Sequence, residues 1–386
     1  MILPVLQREP EENFKVKFDR RLLFNFDWVL LFLVLSISLI GVLNLYSAGY
    51  SLADLNGKPL YVRQMYWIMI GLMFMVICFC IDYRFIGRYA YVIYIISIIL
   101  LIMVFFYGSG AHGSKRWLVV GGFFLQPSEV VKLTVILALA KYFDDNKTDE
   151  SYNLRKLLLP FLIALLPFLL ILKQPDLGTA LILIVLFLSM AIFIGVKWRS
   201  IISAAISGIV LVPLCWNFLK NYQKERILAF FNPERDPLGS GYHVIQSMIA
   251  VGSGGIIGKG FLRGTQTHLK FLPEQQTDFV FSVFAEEWGF LGGTVLMSIF
   301  FVLVLWGLNV ARNSRDLLGA LIAFGVTMLV FWEVFINIGM VLGIIPVVGL
   351  PLPFLSYGGS SMAVLMAGIG LVINVSMRRF ILQSKE

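Results

Sequence analysis

The chain has 386 residues, of which 59% are hydrophobic and 14% are charged, and its mean hydropathy is +0.85. Soluble globular proteins carry about 25% charged residues, so this composition excludes a soluble protein and predicts an integral membrane protein. The formal net charge of +8 is dispersed between apolar stretches. This dispersal indicates an orientation signal in a membrane and argues against a nucleic-acid partner.

Ten apolar stretches can be assigned as spans, since a spanning helix needs about 20 such residues. In chain order they are 27–48, 62–81, 88–107, 126–143, 157–173, 178–195, 200–219, 279–310, 317–345 and 357–377. The sequence therefore predicts an all-α integral membrane protein of about ten transmembrane helices. It forms one polytopic domain over residues 27–378, between an N-terminal segment at 1–26 and a tail at 379–386.

Positive charge predicts the orientation of these spans. Lysine and arginine gather before the first span, after the last span and in every second connection, and few lie in the other connections. Both termini are therefore expected on the cytoplasmic side of a bacterial cytoplasmic membrane. The polar, Gly-rich segment 220–278 then becomes a large extracytoplasmic loop between helices 7 and 8.

The first polar cluster surrounds the weakest span, 126–143. Pro127 suits the first turn of a helix, and Gln126 or Ser128 could cap it. Glu129 and Lys132 are three residues apart and share a helix face. Two interpretations stay open: an ion pair that stabilises the helix end, or a phosphate pocket.

A phosphate pocket would need cations close to the start of that helix. Lys115 and Arg116 precede it by about ten residues, and Lys132 lies in its second turn. Basic side chains near a helix N-terminus favour phosphate binding. A second cluster, residues 173–179, contains Asp176, which is expected to cap the next span.

The third cluster is the end of the large loop. Thr277 or Asp278 could cap the helix that follows, and Asp278 could instead be functional, because an acid at the mouth of a spanning helix is costly. Glu286 and Glu287 lie two turns deeper, so at least one should face a polar cavity or a basic partner such as Lys132 or Arg116. The Gly-rich run 252–260 lacks the spacing of a phosphate loop, and its glycines favour tight turns.

The fourth cluster lies in the last third of the chain. Glu333 and Asn337 are one turn apart on one helix face. The run 346–361 is rich in proline and glycine and contains Ser356, which indicates irregular or re-entrant backbone. At membrane depth such backbone must be buried in protein or line a wet cavity.

These runs, taken together, resemble the SEDS family (shape, elongation, division and sporulation) of peptidoglycan glycosyltransferases. The matching segments are 115–117, 126–132, 174–179, 232–233, 272–289, 337–339 and 356–360. Segments 174–178 and 346–353 are more similar to the rod-elongation branch than to the division branch. Gln276 departs from the family pattern, which often has histidine at that position.

The resemblance implies ten transmembrane helices, polymerisation of lipid II during elongation, and an essential acid in the large loop, which by motif is Asp278. It also implies a transpeptidase partner, the class B penicillin-binding protein PBP2, among other membrane proteins of the elongation complex. No cofactor or metal ligand set is required by the sequence, although a divalent cation such as Mg²⁺ or Mn²⁺ could assist at the pyrophosphate.

The chemistry of glycosyl transfer assigns roles to these residues. Asp278 is the expected general base for the acceptor hydroxyl. The expected pyrophosphate ligands are Lys115, Arg116 and Lys132, with Arg63 as a further candidate and Glu129 orienting Lys132. Supporting positions in the polar cavity are Gln126, Glu286, Glu287, Asn337 and Ser356.

Two other functions would use a similar polar cavity. A flippase for lipid-linked precursors needs charge along a path through the membrane, whereas a polymerase needs one base at the outer face. A scaffold that only recruits a transpeptidase would leave Asp278 without a chemical role.

Overall fold

A computed structural model describes most of the chain. The described residues are 25–50, 59–110, 115–121, 123–148, 151–197, 202–203, 221–232, 239–269, 271–272 and 274–379. The span expected at 200–219 lies almost entirely outside them, as do most of the N-terminal segment and the tail.

Thirteen helices and one small hairpin make up the described part of the chain. The helices are α1 Trp28–Gly49, α2 Leu60–Cys80, α3 Tyr83–Arg88, α4 Ala90–Tyr107, α5 Pro127–Asp145, α6 Leu154–Lys173, α7 Leu177–Ile194, α8 Asn221–Phe231, α9 Ser240–Ser253, α10 Thr265–His268, α11 Val280–Arg312, α12 Leu317–Val341 and α13 Gly359–Arg378. Strands β1 Leu118–Val120 and β2 Phe123–Leu125 pair antiparallel, with Val119 opposite Phe124. The all-α expectation is confirmed apart from this hairpin.

Eight of these helices are long and apolar enough to cross a bilayer: α1, α2, α4, α6, α7, α11, α12 and α13. Helix α5 is a ninth helix at a predicted span, and it is less apolar because it carries charged residues. Most of its side chains are buried, and it packs against α4, α7 and α12. The charged Glu129 and Lys132 therefore face protein and not lipid, which explains why hydropathy alone gave the weakest signal there.

The described residues of segment 220–278 are partly helical. The segment contains α8, α9 and the short α10, and its glycines 255, 258 and 260 have positive φ angles of 56°, 87° and 101°. The expected tight turns are therefore present. The turn-rich stretch 233–238 lies outside the described residues.

Helix α11 is broken at Gly289, where φ is 65° and ψ is −164°. Around this break, four backbone hydrogen bonds of 3.1, 3.0, 2.9 and 3.0 Å join residues 255–260 to residues 286–291. Backbone groups freed in a membrane helix need such substitute partners. At this break the backbone of the large loop is therefore hydrogen-bonded directly to the backbone of α11.

Irregular backbone also connects α12 to α13. Helix α12 ends at Val341, four residues earlier than the predicted boundary, and residues 342–358 form turns and extended segments. Leu350, Leu352 and Leu355 in this connection are almost fully buried. The prediction of irregular backbone buried in protein is confirmed.

The opposite end of the bundle is fastened by polar contacts. Asp82 pairs with Arg378 at 2.9 Å, and Arg84 pairs with Asp316 at 2.9 Å. The buried Asn374 side chain donates to two carbonyls at the end of α2. These contacts hold α2, α3, α12 and α13 together at the end that lies farthest from Asp278.

Candidate functional site

Asp278 lies in the turn that leads into α11. The N-cap of α11 is Phe279, and no side chain caps this helix. The Thr277 hydroxyl bonds the Glu274 carboxylate at 3.1 Å instead. The expectation that Thr277 or Asp278 caps α11 is therefore wrong, and the Asp278 carboxylate is not used for capping.

The backbone before α11 is fixed from the other side of the site. The carbonyls of residues 276–278 accept three successive hydrogen bonds: from the Tyr357 N–H at 2.9 Å, the Ser356 Oγ at 2.6 Å and the Asn337 Nδ2 at 2.8 Å. Asn337 is fully buried and Ser356 nearly so. Three consecutive peptide units are thus held by two separate elements, and the position of Asp278 follows from them.

The same side chains also hold the α12–α13 connection. Asn337 Nδ2 donates to the Leu350 carbonyl at 2.7 Å, and Ser356 Oγ accepts from the Leu352 N–H at 2.8 Å. Gly349, with a φ of 75°, lies so close that a Cβ placed there would be 3.3 Å from Asp278 Oδ2. The connection therefore packs directly against the carboxylate.

Four charged groups surround the partly buried Asp278. Burial, followed by the negative charge of Glu274, raises the pKa of Asp278 to about 6, and Asp176 acts in the same direction. Arg226 and Arg116 oppose this rise in pKa. A carboxyl group with such a pKa can take up and release a proton near neutral pH.

The two arginines are held by backbone carbonyls of two segments, one at the end of α6 and one between α12 and α13. Arg116 donates from Nε to the Gln174 carbonyl at 3.3 Å and from Nη2 to the Pro175 carbonyl. Arg226 donates from Nη1 to the Val347 carbonyl at 3.4 Å. A guanidinium has five N–H donors, so the two bonds of Arg116 to these carbonyls leave donors on Arg116 for an anion.

Arg226 is a residue that the sequence analysis missed. It belongs to α8, within a stretch interpreted only as part of a polar loop. The run Gln223-Lys224-Glu225-Arg226 between apolar residues could have indicated an amphipathic helix. The fold then brings this helix to Val347, more than one hundred residues away, and no local pattern predicts that contact.

Asp176 caps α7 as predicted. Its carboxylate accepts from the Thr179 N–H at 3.3 Å and from the Thr179 hydroxyl at 3.0 Å. Gln126 Nε2 reaches the same carboxylate at 3.4 Å, and the Gln126 N–H donates to Ser360 Oγ at 3.0 Å. Pro127 begins α5 as predicted, but neither Gln126 nor Ser128 caps it with a side chain.

Lys132 lies between two buried carboxylates. Its Nζ is 2.8 Å from Glu129 Oε2 and also contacts Glu333 Oε1, and all three side chains are almost fully buried. The predicted ion pair of Glu129 and Lys132 is present. Glu333 completes a triad with an excess of carboxylate, so the role of Lys132 as a pyrophosphate ligand stays a prediction.

Glu286 and Glu287 find partners other than the expected ones. Glu286 pairs with Lys259 at 2.6 Å and accepts from the Thr267 hydroxyl at 3.1 Å. Glu287 accepts from the Ser47 hydroxyl of α1. The expectation of a basic partner is confirmed for Glu286, but the partner is Lys259, because the large loop folds back onto α11 and supplies it locally.

Lys115 and Arg63 are both exposed at the Asp278 end of the bundle. Lys115 precedes the hairpin, and Arg63 lies in the first turn of α2. Their roles as phosphate ligands stay predictions.

Comparison with known proteins gives consistent matches over most of the chain. Residues 27–380 match the FtsW/RodA/SpoVE model, described as a cell cycle protein. The chain is 43% identical over 323 residues to the peptidoglycan glycosyltransferase MrdB of Escherichia coli (strain K12), covering 82% of this chain and 85% of that protein. It is 33% identical to the peptidoglycan glycosyltransferase RodA of Treponema pallidum, covering 92% and 98%.

Solved structures agree with these matches. A chain of a peptidoglycan synthase complex, described as coordinating polymerization and crosslinking, superposes with a TM-score of 0.79 and 35% identity, covering 92% of this chain and 99% of that one. The rod shape determining protein RodA of Thermus thermophilus superposes with a TM-score of 0.68 and 30% identity, covering 92% and 98%.

The buried triad predicts a large effect of losing its cation. Lys132→Met leaves two buried carboxylates without their counter-charge, which should cost about 3–5 kcal/mol of stability. The triple variant Glu129→Gln, Lys132→Met, Glu333→Gln removes all three charges and should recover much of that loss. Thermal unfolding of the purified protein in detergent measures both, and an unchanged melting temperature for Lys132→Met would contradict the role of the triad.

Proposed function

This chain belongs to the FtsW/RodA/SpoVE family and is a peptidoglycan glycosyltransferase, and on that premise we propose that it polymerises lipid II into β-1,4-linked glycan strands during cell elongation. The observation that carries the mechanism is the position of Asp278. Its carboxylate does not cap α11, and the backbone around it is fixed by Asn337 and Ser356. Two arginines lie near the carboxylate.

In this proposal Asp278 is the general base. Its carboxylate accepts the proton of the 4-hydroxyl of the acceptor sugar. That oxygen forms a bond to the anomeric carbon of the donor while the bond from this carbon to the pyrophosphate breaks. The configuration inverts in this single displacement, and undecaprenyl pyrophosphate leaves with the electron pair.

Negative charge grows on the departing pyrophosphate, so cations beside it stabilise the transition state. Arg116 is the best-placed ligand, because its guanidinium is already oriented by carbonyls near Asp278. Arg226, held at the Val347 carbonyl, is a second candidate ligand. Lys115 and Arg63 can extend the cationic surface, while Glu129 orients Lys132 deeper in the bundle.

The setting of the site suits a lipid-linked substrate. We propose that the Asp278 end faces away from the cytoplasm, so that both termini are cytoplasmic and the polyprenyl tail lies in the bilayer. The partner is proposed to be a class B penicillin-binding protein, since a related chain belongs to a complex that coordinates polymerization and crosslinking. A divalent cation that assists at the pyrophosphate stays a prediction.

A flippase would have to open at both ends of the bundle. The ion pairs of Asp82 with Arg378 and of Arg84 with Asp316 hold the end that lies farthest from Asp278. This arrangement supports a reaction confined to one face. Purified protein that moved lipid II across vesicles and made no glycan with its transpeptidase partner would favour the flippase.

Replacement of Asp278 tests the base directly. Asp278→Asn and Asp278→Ala should each lower glycan synthesis from lipid II by about a hundredfold or more, the size of a general-base contribution. Glu274→Gln, which changes the neighbouring carboxylate, is the matched control and should retain activity. Long glycan strands from both Asp278 variants, seen on gels, would overturn the assignment.

The pKa of Asp278 predicts the dependence of the rate on pH. Only the ionised carboxylate accepts a proton, so the rate should fall as the pH falls through about 6. Removing the positive charge in Arg226→Gln should raise the pKa of Asp278 further and move this acid limb to higher pH. Arg226→Lys keeps the charge and should leave the limb near its original position.

Wild type, Arg226→Gln and Arg226→Lys are compared with the same substrate. Any protonation of lipid II itself therefore affects all three pH profiles equally. Glu274, Asp176 and Arg116 also face the Asp278 carboxylate, and they are unchanged in these variants. An acid limb that stays in place in Arg226→Gln would contradict the electrostatic role of Arg226.

The positioning role of Asn337 can be separated from its stabilising role. Asn337→Ala leaves two buried carbonyls without a donor, which should cost about 1–3 kcal/mol and lower kcat about tenfold or more through misplacement of Asp278. Asn374→Ala is a matched control, because Asn374 also donates to two carbonyls, at the opposite end. Equal losses of kcat in both variants would indicate a stabilising role alone.

A further inference from the structure

Two isoleucines project from the large loop beside the break in α11. Ile256 and Ile257 are 69% and 79% exposed, and Gly254 and Gly255 separate them from the end of α9. We call this pair the apolar tip. Water contact with two such side chains is unfavourable by about 25 cal/mol for each Å² of apolar surface, so a partner surface is expected.

The apolar tip has a fixed position relative to α11. The Leu291 N–H donates to the Ile256 carbonyl at 3.0 Å, and the Phe290 N–H donates to the Gly255 carbonyl at 2.9 Å. A Cβ added to Gly258 would lie 2.1 Å from the Glu287 carbonyl oxygen, so the two backbones are in direct contact. The tip is therefore a rigid part of the α11 wall.

The level of the tip in the bilayer follows from the length of α11. From the break at Gly289 to Arg312 the helix has 23 residues, which corresponds to about 35 Å at 1.5 Å per residue. The hydrocarbon core of a bilayer is about 30 Å thick. The residues just after the break, and the apolar tip bonded to them, therefore lie at the boundary of the hydrocarbon on the Asp278 side.

Aromatic residues mark the same level. Trp288 is 45% exposed, and Tyr46 and Tyr50 at the end of α1 are 36% and 56% exposed. Phe261 lies between them, with its ring centroid 6.3 Å from that of Tyr46 and 6.5 Å from that of Trp288. Tryptophan and tyrosine concentrate at membrane–water interfaces, so these residues indicate the membrane–water interface on the Asp278 side.

The exposed apolar surface continues from the apolar tip along α11, where the Thr294 hydroxyl is bonded to the Phe290 carbonyl at 2.8 Å. Phe290 and Leu291, next to it, are 70% and 56% exposed, and Val295 one turn further is 61% exposed. These side chains belong to a helix that spans the bilayer, so their exposed faces meet lipid. The tip extends that lipid-facing surface into the large loop.

We propose that the apolar tip, Ile256 and Ile257, inserts into the lipid leaflet on the Asp278 side and anchors the large loop to it. The anchor is connected to the loop by a short path. Lys259, two residues further, pairs with Glu286, and Glu286 also holds Thr265 and Thr267. The lipid contact thus fixes the loop independently of any substrate or reaction.

The depth of a spin label tests this proposal. Ile256→Cys is made in a protein whose cysteines (Cys78, Cys80 and Cys215) are replaced, labelled with a nitroxide and reconstituted into phosphatidylethanolamine–phosphatidylglycerol vesicles. Collision with oxygen and with a water-soluble nickel complex is then measured. Val295→Cys serves as the lipid-facing reference, and Lys147→Cys, with a half-exposed side chain after α5, as the aqueous one.

The label at position 256 should match Val295 in its preference for oxygen and should lose nickel accessibility relative to Lys147. Nickel accessibility equal to that at Lys147 would overturn the proposal. Accessibility to nickel that disappears only when a class B penicillin-binding protein is added would also overturn it, in favour of a protein interface. Neither result depends on glycan synthesis, so the test stands apart from the proposed reaction.

Discussion

The site depends on the need to satisfy irregular backbone at membrane depth. Two non-helical stretches meet beside Asp278, one before α11 and one between α12 and α13. Peptide carbonyls there cannot rely on bulk water, and leaving one without a donor destabilises the fold. Asn337 and Ser356 resolve this by bonding both stretches at once. The geometry of the carboxylate is a result of that requirement.

Electrostatics at the site is a balance between burial and nearby charge. Burial and two acids favour a protonated Asp278, and two arginines favour an ionised one. The two effects partly cancel, and the pKa of Asp278 stays near neutral pH, where its carboxylate can act as a general base. The buried triad of Lys132 shows a different arrangement, in which one cation pairs with two carboxylates inside protein. Both arrangements lie within one bundle, and they serve different purposes.

Much of this architecture could be predicted from the sequence. Apolar stretches set the helices, because length and hydropathy are local properties, and Asp176 and Pro127 followed local capping rules. The partners of Glu286 and the contact of Arg226 with Val347 could not be predicted. They depend on how the large loop folds back onto α11, which is a tertiary property. The missing cap on α11 was also unpredictable, since Thr277 has a competing acceptor in Glu274.

The polar fastening of the opposite end has a mechanical consequence. Helices α2, α3, α12 and α13 are joined at that end. They can therefore separate only by tilting about it, which moves their other ends apart. A helix of 20 residues is about 30 Å long, so a tilt of about 10° about its fixed end moves the other end by about 5 Å. Small angles at one face thus become a gap at the other. A gap of that width would admit an acyl chain sideways from the bilayer, while the contacts at the opposite end would stay closed.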